Sequence, residues 1–113
     1  MGADFMSCNL GFVNLEGAHL LGTNFKWAQL KRANLKLTNL LCANFKEAYL
    51  EGANLAGANL RWTNFLRADL TGVDFEGAQH LSLEQLAEAK TLYDIKLSNE
   101  LLTPLKNDYP ALF

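Results

Sequence analysis

Few residues of this chain could do covalent or metal chemistry, and their spacing does not gather them. There are two cysteines, Cys8 and Cys42, and two histidines, His19 and His80. A thiolate nucleophile or a zinc site needs such groups to converge on one another or on a carboxylate cluster. These four fall neither at a disulfide-framework spacing nor at a metal-ligand spacing. His19 reads as a polar surface residue rather than a ligand, and His80 as the marker of a junction described below. The glycines are not gathered into a phosphate-cradling loop. No catalytic, cofactor-binding or metal-binding set is expected, so the chain is read as a protein that is not an enzyme.

What remains is recognition. Ten Lys and Arg against twelve Asp and Glu leave a formal charge of −2, which lacks the basic excess of a nucleic-acid binder. Although 50% of residues are apolar, no stretch approaches the roughly 18 consecutive apolar residues of a membrane span. The opening Met1-Gly2-Ala3-Asp4-Phe5 has neither the basic nor the apolar segment of a secretion signal. A cytoplasmic protein of one domain's size is expected.

The elements that position any surface residue follow from one pattern. From Ala3 the chain reads in fives: Ala3-Asp4-Phe5-Met6-Ser7, Cys8-Asn9-Leu10-Gly11-Phe12, and so on without a gap to Val73-Asp74-Phe75-Glu76-Gly77. Every central position is Leu or Phe, and the position two before it is Ala, Thr, Val or Cys. The position between them is mostly Asn or Asp, with His19, Gln29 and Tyr49 as exceptions. On an α-helix this period would advance about 500° per repeat and spiral the apolar row around the axis. On an unbroken strand an odd period would throw alternate Leu residues to opposite faces. The central residue and the one two before it can both point inward only if the chain turns a corner within each repeat. Gly, Asn, Asp and charged residues at the other positions suit such corners.

A second period of twenty closes the coil. Phe5, Phe25, Phe45 and Phe65 form one column; Leu10, Leu30, Leu50 and Leu70 a second; Leu15, Leu35, Leu55 and Phe75 a third; Leu20, Leu40 and Leu60 a fourth. Four repeats therefore make one turn, with coils about 4.8 Å apart. Cys8, at the small inward position, is expected to be a buried thiol, and Cys42 to face outward. With these motifs the chain resembles the pentapeptide-repeat family, whose consensus is Ala-(Asp/Asn)-Leu-X-X, over residues 3–79. The resemblance implies an all-β solenoid, a right-handed quadrilateral β-helix of about four coils.

At His80 the register fails. Leu81-Ser82-Leu83-Glu84-Gln85-Leu86 then reads as a helix start, with Ser82 as N-cap, Gln85 completing a capping box and Leu81 with Leu86 as a hydrophobic staple. This divides the chain into a solenoid, 1–79, and a short α-helical C-terminal cap and tail, 80–113. A first helix is expected from Leu83 to about Lys90, then a connector over Thr91–Leu97. A second helix follows Ser98, with Pro104 tolerable only near its first turn, and an extended or turned end completes the chain. Leu83, Leu86, Leu92, Leu97 and Leu101 are expected to cover the last coil, whose bare edge would otherwise invite aggregation. The N-terminal coil has no comparable cover: either it pairs with another copy or another domain, or the chain is part of something longer, and a head-to-head homodimer through that coil is the favoured expectation.

On the coat, residues twenty apart should stack, which places Glu16 by Lys36, Lys31 by Glu51 and Glu47 by Arg67 as opposite-charge pairs. Lys26, Lys31, Arg32 and Lys36 form a candidate basic belt on the second coil. Leu21, Leu41 and Trp62 are outward apolar residues on one side and form the candidate protein-binding patch; the competing occupant of that side is the C-terminal tail folded back. A non-catalytic interaction scaffold with a protein partner is therefore the favoured function. The family suggests an alternative, inhibition of DNA gyrase, a type II topoisomerase, by imitating duplex DNA. That mechanism wants an acidic rod, and residues 3–79 carry seven acidic and seven basic side chains.

Overall fold

The computed structural model describes residues 2–113. Successive coils are joined by parallel bridges between residues twenty apart, from Asp4 with Asn24 to Asn59 with Gln79. The Phe column is present: Phe5–Phe25, Phe25–Phe45 and Phe45–Phe65 are stacked with centroids 5.6, 4.9 and 5.6 Å apart and ring planes within 17°. Phe75, in the third column, meets Phe65 edge-on at 6.1 Å. From Leu20 to Phe75 the central residues are buried, as are the small residues from Thr23 to Val73.

Each bridge stands alone among the described residues, so the solenoid contains no extended strand, a correction to its reading as all-β. The repeat length causes this. In each five residues the residue before the centre makes the inter-coil bridge and the two after the centre turn the corner. At a corner, the N–H of the residue three beyond the centre returns to the central carbonyl, as Ala28 to Phe25 at 2.9 Å. The second corner residue has positive φ, as at the third position of a type II turn. Gly57 takes it at +68°, where only glycine is at ease.

Asn and Asp before each centre have a structural task. Their Oδ1 accepts the N–H of the first corner residue, for example Lys46 to Asn44 at 2.9 Å and Ala56 to Asn54 at 2.9 Å. That N–H has no partner in the next coil, and the short side chain supplies one locally. At His19, Gln29 and Tyr49 this bond is not made among the described hydrogen bonds.

The C-terminal segment departs from expectation in several ways. Helix α1, Leu83–Ala87, has the capping box of Ser82 and Gln85 but ends three residues before Lys90. The Gln85 amide nitrogen also donates to the carbonyls of Leu60 and Thr63, at 2.7 and 3.0 Å, so the capping residue anchors the helix to the last complete coil. Thr91–Leu97, read as a connector, bridges instead: Asp69 pairs with Thr91 and Asp74 with Lys96. Asp94 has the corner backbone, φ 61°. After an inserted helix, the chain thus resumes the coil for two sides. The spacing there is 22, which hid it from a period of twenty.

Helix α2, Asn99–Asp108, contains Pro104 beyond its first turn, where proline forfeits one backbone bond. Its neighbour Leu105 is buried against the coil, and that tertiary contact holds the turn. The end forms a 3-10 turn, Pro110–Leu112, and the Leu112 carbonyl accepts the Leu92 N–H at 2.7 Å. Leu86, Leu92 and Leu105 are buried over the last coil, whereas Leu83, Leu97 and Leu101 are half-buried. No described helix is long and apolar enough to cross a membrane.

Candidate protein-docking face

The coil sorts outward residues into four sides, and these differ in charge. Thirteen of the fourteen charged side chains of residues 3–79 stand on the rows headed by Phe5, Leu10 and Leu15; the row of Leu20, Leu40 and Leu60 carries Arg61 alone. The predicted patch lies on this last side. Leu21 and Leu41 are half-buried at equivalent corner positions of adjacent coils, with Arg61 next in that column. Trp62 follows, 67% exposed. Arg61 lies over its indole, 4.5 Å from the ring centroid. The sequence grouped Leu21, Leu41 and Trp62 on one side but not the scarcity of charge there, which sorting charges by position within a period of twenty would have found.

Trp62 also sits on strained backbone, with φ 58°. A bulky residue in the left-handed region costs about 1–2 kcal/mol, a cost the repeat imposes at this corner position elsewhere too, as at Trp27 and Leu37. Beside it a groove of about 580 Å³ runs between the solenoid corner and the start of α1, lined by Arg61, Trp62, His80, Leu81, Ser82 and Gln85. His80, read from sequence as a junction marker, and Leu81, read as half of a hydrophobic staple, form its far wall. The C-terminal tail does not fold back over Trp62; it lies across the end of the coil, where Leu112 meets Leu92.

The basic belt is dispersed. Lys26, Lys31 with Arg32, and Lys36 occupy three successive sides, and the Lys26 ammonium lies 4.3 Å from the Trp27 ring centroid. Of the three expected charge pairs, Arg67 and Glu47 meet, at 3.6 Å. Glu16 instead accepts from the Asn34 amide at 3.1 Å, and no Lys31–Glu51 pair occurs among the described residues. Exposed ion pairs gain at most about 1 kcal/mol, so a neutral hydrogen bond readily competes.

Cys8 is exposed rather than buried, because the first coil has no coil beneath it. Cys42 is exposed as expected. Among the described residues no group of three or more His, Cys, Asp or Glu could hold a metal ion.

Comparison with known proteins places this geometry. The family model described as "Pentapeptide repeats (8 copies)" matches residues 1–40 and 43–78. Among solved structures, the chain is similar to HetL, a pentapeptide repeat protein involved in heterocyst differentiation regulation in the cyanobacterium Nostoc. The two share 33% identity over 84% of this chain, with a TM-score of 0.66. The chain spans 43% of HetL's length. It is also similar to alr5209, a pentapeptide repeat protein of Nostoc, with 26% identity, a TM-score of 0.58 and 86% of each chain covered. QnrB1, a plasmid-mediated fluoroquinolone resistance protein, shares the fold at 18% identity and a TM-score of 0.54, over 93% of this chain and 62% of its own. A search of the curated proteins found no match. With the repeat register, the stacked columns and the family match over two-thirds of its length, the chain belongs to the pentapeptide-repeat family.

Proposed function

We propose that this protein is a non-catalytic interaction module that docks a protein partner on its sparsely charged side, through Leu21, Leu41 and Trp62. The observation that carries the reading is Trp62: a large aromatic residue, 67% exposed, on the one side of the rod that bears a single charge. Aromatic and Arg anchors are the residue types that dominate interface energetics, and Arg61 and Trp62 supply both.

Affinity capture on the immobilised protein tests this. Trp62→Ala and Leu41→Arg are expected to lose a partner that the parent retains, while Phe12→Ser, on another side, retains it. Equal retention by all variants removes the docking face. The DNA-mimic alternative is not favoured, because the solenoid coat is electrically balanced. A supercoiling assay with gyrase decides it: no inhibition is expected, and potent inhibition would replace the docking reading.

A further inference from the structure

At each corner of the solenoid the second corner residue donates its N–H to the first corner carbonyl of the next coil. Along the sparsely charged side, Gly22 donates to Leu41 at 2.8 Å and Cys42 to Arg61 at 3.0 Å. Trp62 is next in that column, and its acceptor would be the Leu81 carbonyl. No such bond is made among the described residues. The cause lies inside the chain. The register fails at His80, which takes φ 59°, and α1 stands where the next side would run, its Gln85 amide bonding the Thr63 carbonyl in place of a coil residue. Beyond the helix the coil resumes, and Arg67 and Gly72 again donate, to Glu88 and Tyr93. The Trp62 corner is a gap in an otherwise continuous ladder.

The groups around this gap are predominantly donors. Ser82 and Gln85 satisfy each other and the coil: Gln85 Oε1 accepts the Ser82 N–H at 2.8 Å, and the Gln85 amide nitrogen donates to Leu60 and Thr63. That leaves the Trp62 N–H, the Arg61 guanidinium and the His80 ring along the groove, with no Asp or Glu among its lining residues. Arg61 makes no ion pair among the described residues. Its guanidinium lies over the Trp62 indole, an arrangement that leaves the N–H edge of the fork free for a carboxylate. The neighbouring Phe65 N–H also lacks an acceptor among the described residues, but that residue is 1% exposed and out of a partner's reach. Gly77 is the other second corner residue without one among the described residues, and it shares its groove with the Asp74 and Glu76 carboxylates.

We propose that the groove beside Trp62 receives an extended, acidic segment of a protein partner. This rests on the docking reading above and names the chemistry of what docks there. A main-chain carbonyl of the segment accepts the Trp62 N–H, in the place Leu81 would have filled, and an Asp or Glu side chain meets Arg61. An apolar residue beside it packs on Trp62 and Leu41. Charge complementarity selects this occupant. The other three sides of the rod mix both signs, whereas this side carries one charge, positive and without a carboxylate partner. Bonds between ionised groups are roughly twice as strong as neutral ones, so Arg61 chooses the segment and the Trp62 N–H fixes where its backbone lies.

A displayed library of random linear peptides, panned on the immobilised protein and in parallel on Arg61→Glu, tests this. The substitution spares the coil, because the Arg61 carbonyl rather than its side chain accepts the Cys42 N–H. The parent is expected to enrich Asp and Glu beside an aliphatic or aromatic residue, and Arg61→Glu to enrich Lys and Arg instead. A synthetic copy of the leading parent-selected peptide should bind Arg61→Gln about tenfold more weakly than the parent, and its affinity should fall as salt rises. Its addition should move the Trp62 backbone amide proton downfield and slow its exchange, leaving the Gly77 amide unchanged. Selected peptides that need Trp62 but carry no acidic excess and bind Arg61→Gln as well as the parent would overturn the acidic occupant and leave the docking face standing. A Trp62 amide that the peptide does not move would overturn the bond at the gap. If no selected peptide depends on Trp62 or Leu41, the proposal and the docking face fall together.

Discussion

Phe45 is the place to test whether the aromatic column holds the rod together. Its side chain is 0% exposed, and its ring stacks on Phe25 at 4.9 Å and on Phe65 at 5.6 Å. Phe45→Ala removes both stacked partners and leaves a cavity closed above and below. A buried Phe→Ala change costs about 3–5 kcal/mol, and two lost aromatic pairs, at roughly 0.5–1.5 kcal/mol each, put this site in the upper half of that range. Phe5 supplies the internal control. It stacks on Phe25 alone, at 5.6 Å, and is half-buried at the open end, so Phe5→Ala should cost less than half as much. Urea unfolding followed by circular dichroism and by Trp fluorescence gives both values. With a slope of about 1–3 kcal/mol/M, Phe45→Ala should lower the midpoint by roughly 2 M and Phe5→Ala by well under 1 M. Equal midpoint shifts for the two would refute the column as a closed stack with one open end.

The remaining expectations concern corners and coat. Trp62→Gly should leave stability within about 1 kcal/mol of the parent. Relief of roughly 1–2 kcal/mol of left-handed strain offsets the lost Arg61 contact, about 0.5–1 kcal/mol, and the added unfolded-chain entropy, about 0.4–1 kcal/mol; urea midpoints check it. Asn44→Ala should destabilise by about 1 kcal/mol, since the Lys46 N–H loses its 2.9 Å acceptor, measured the same way. Gly57→Ala and Gly17→Ala should destabilise by similar amounts, by thermal melting. Both positions have positive φ, and although a Cβ at Gly57 would lie 2.6 Å from Leu37 Cδ2, that atom ends an exposed side chain free to rotate away, while one at Gly17 meets nothing within 4 Å. Glu47→Gln should change stability by less than about 0.5 kcal/mol, and raising salt should change it no more, because the Arg67 pair is solvent-exposed.

How far the sequence could be read depended on how local each cause was. The columns Phe5–Phe65 and Leu10–Leu70 were legible because a fixed period and a fixed interior volume leave one way to bury those side chains. The Ser82–Gln85 capping box was legible because its bonds join residues three apart. Thr91–Leu97 was not, since its bridges to Asp69 and Asp74 exist only after a helix has been inserted between coils. Trp62 was picked out as outward, but its groove was not, because His80 and Leu81 reach it only once α1 docks on Leu60 and Thr63.

By itself, then, the sequence determined the repeat: five residues to a side, four sides to a coil, and a residue type at each inward position fixed by steric room. The tertiary structure decided what happens where the repeat stops. It exposed Cys8 at the open end, carried Thr91–Leu97 back onto the coil, and laid the C-terminal tail across the last coil instead of along its flank. The physical reason is that a periodic interior constrains each residue through its neighbours one coil away, and at the two ends of the rod one of those neighbours is missing.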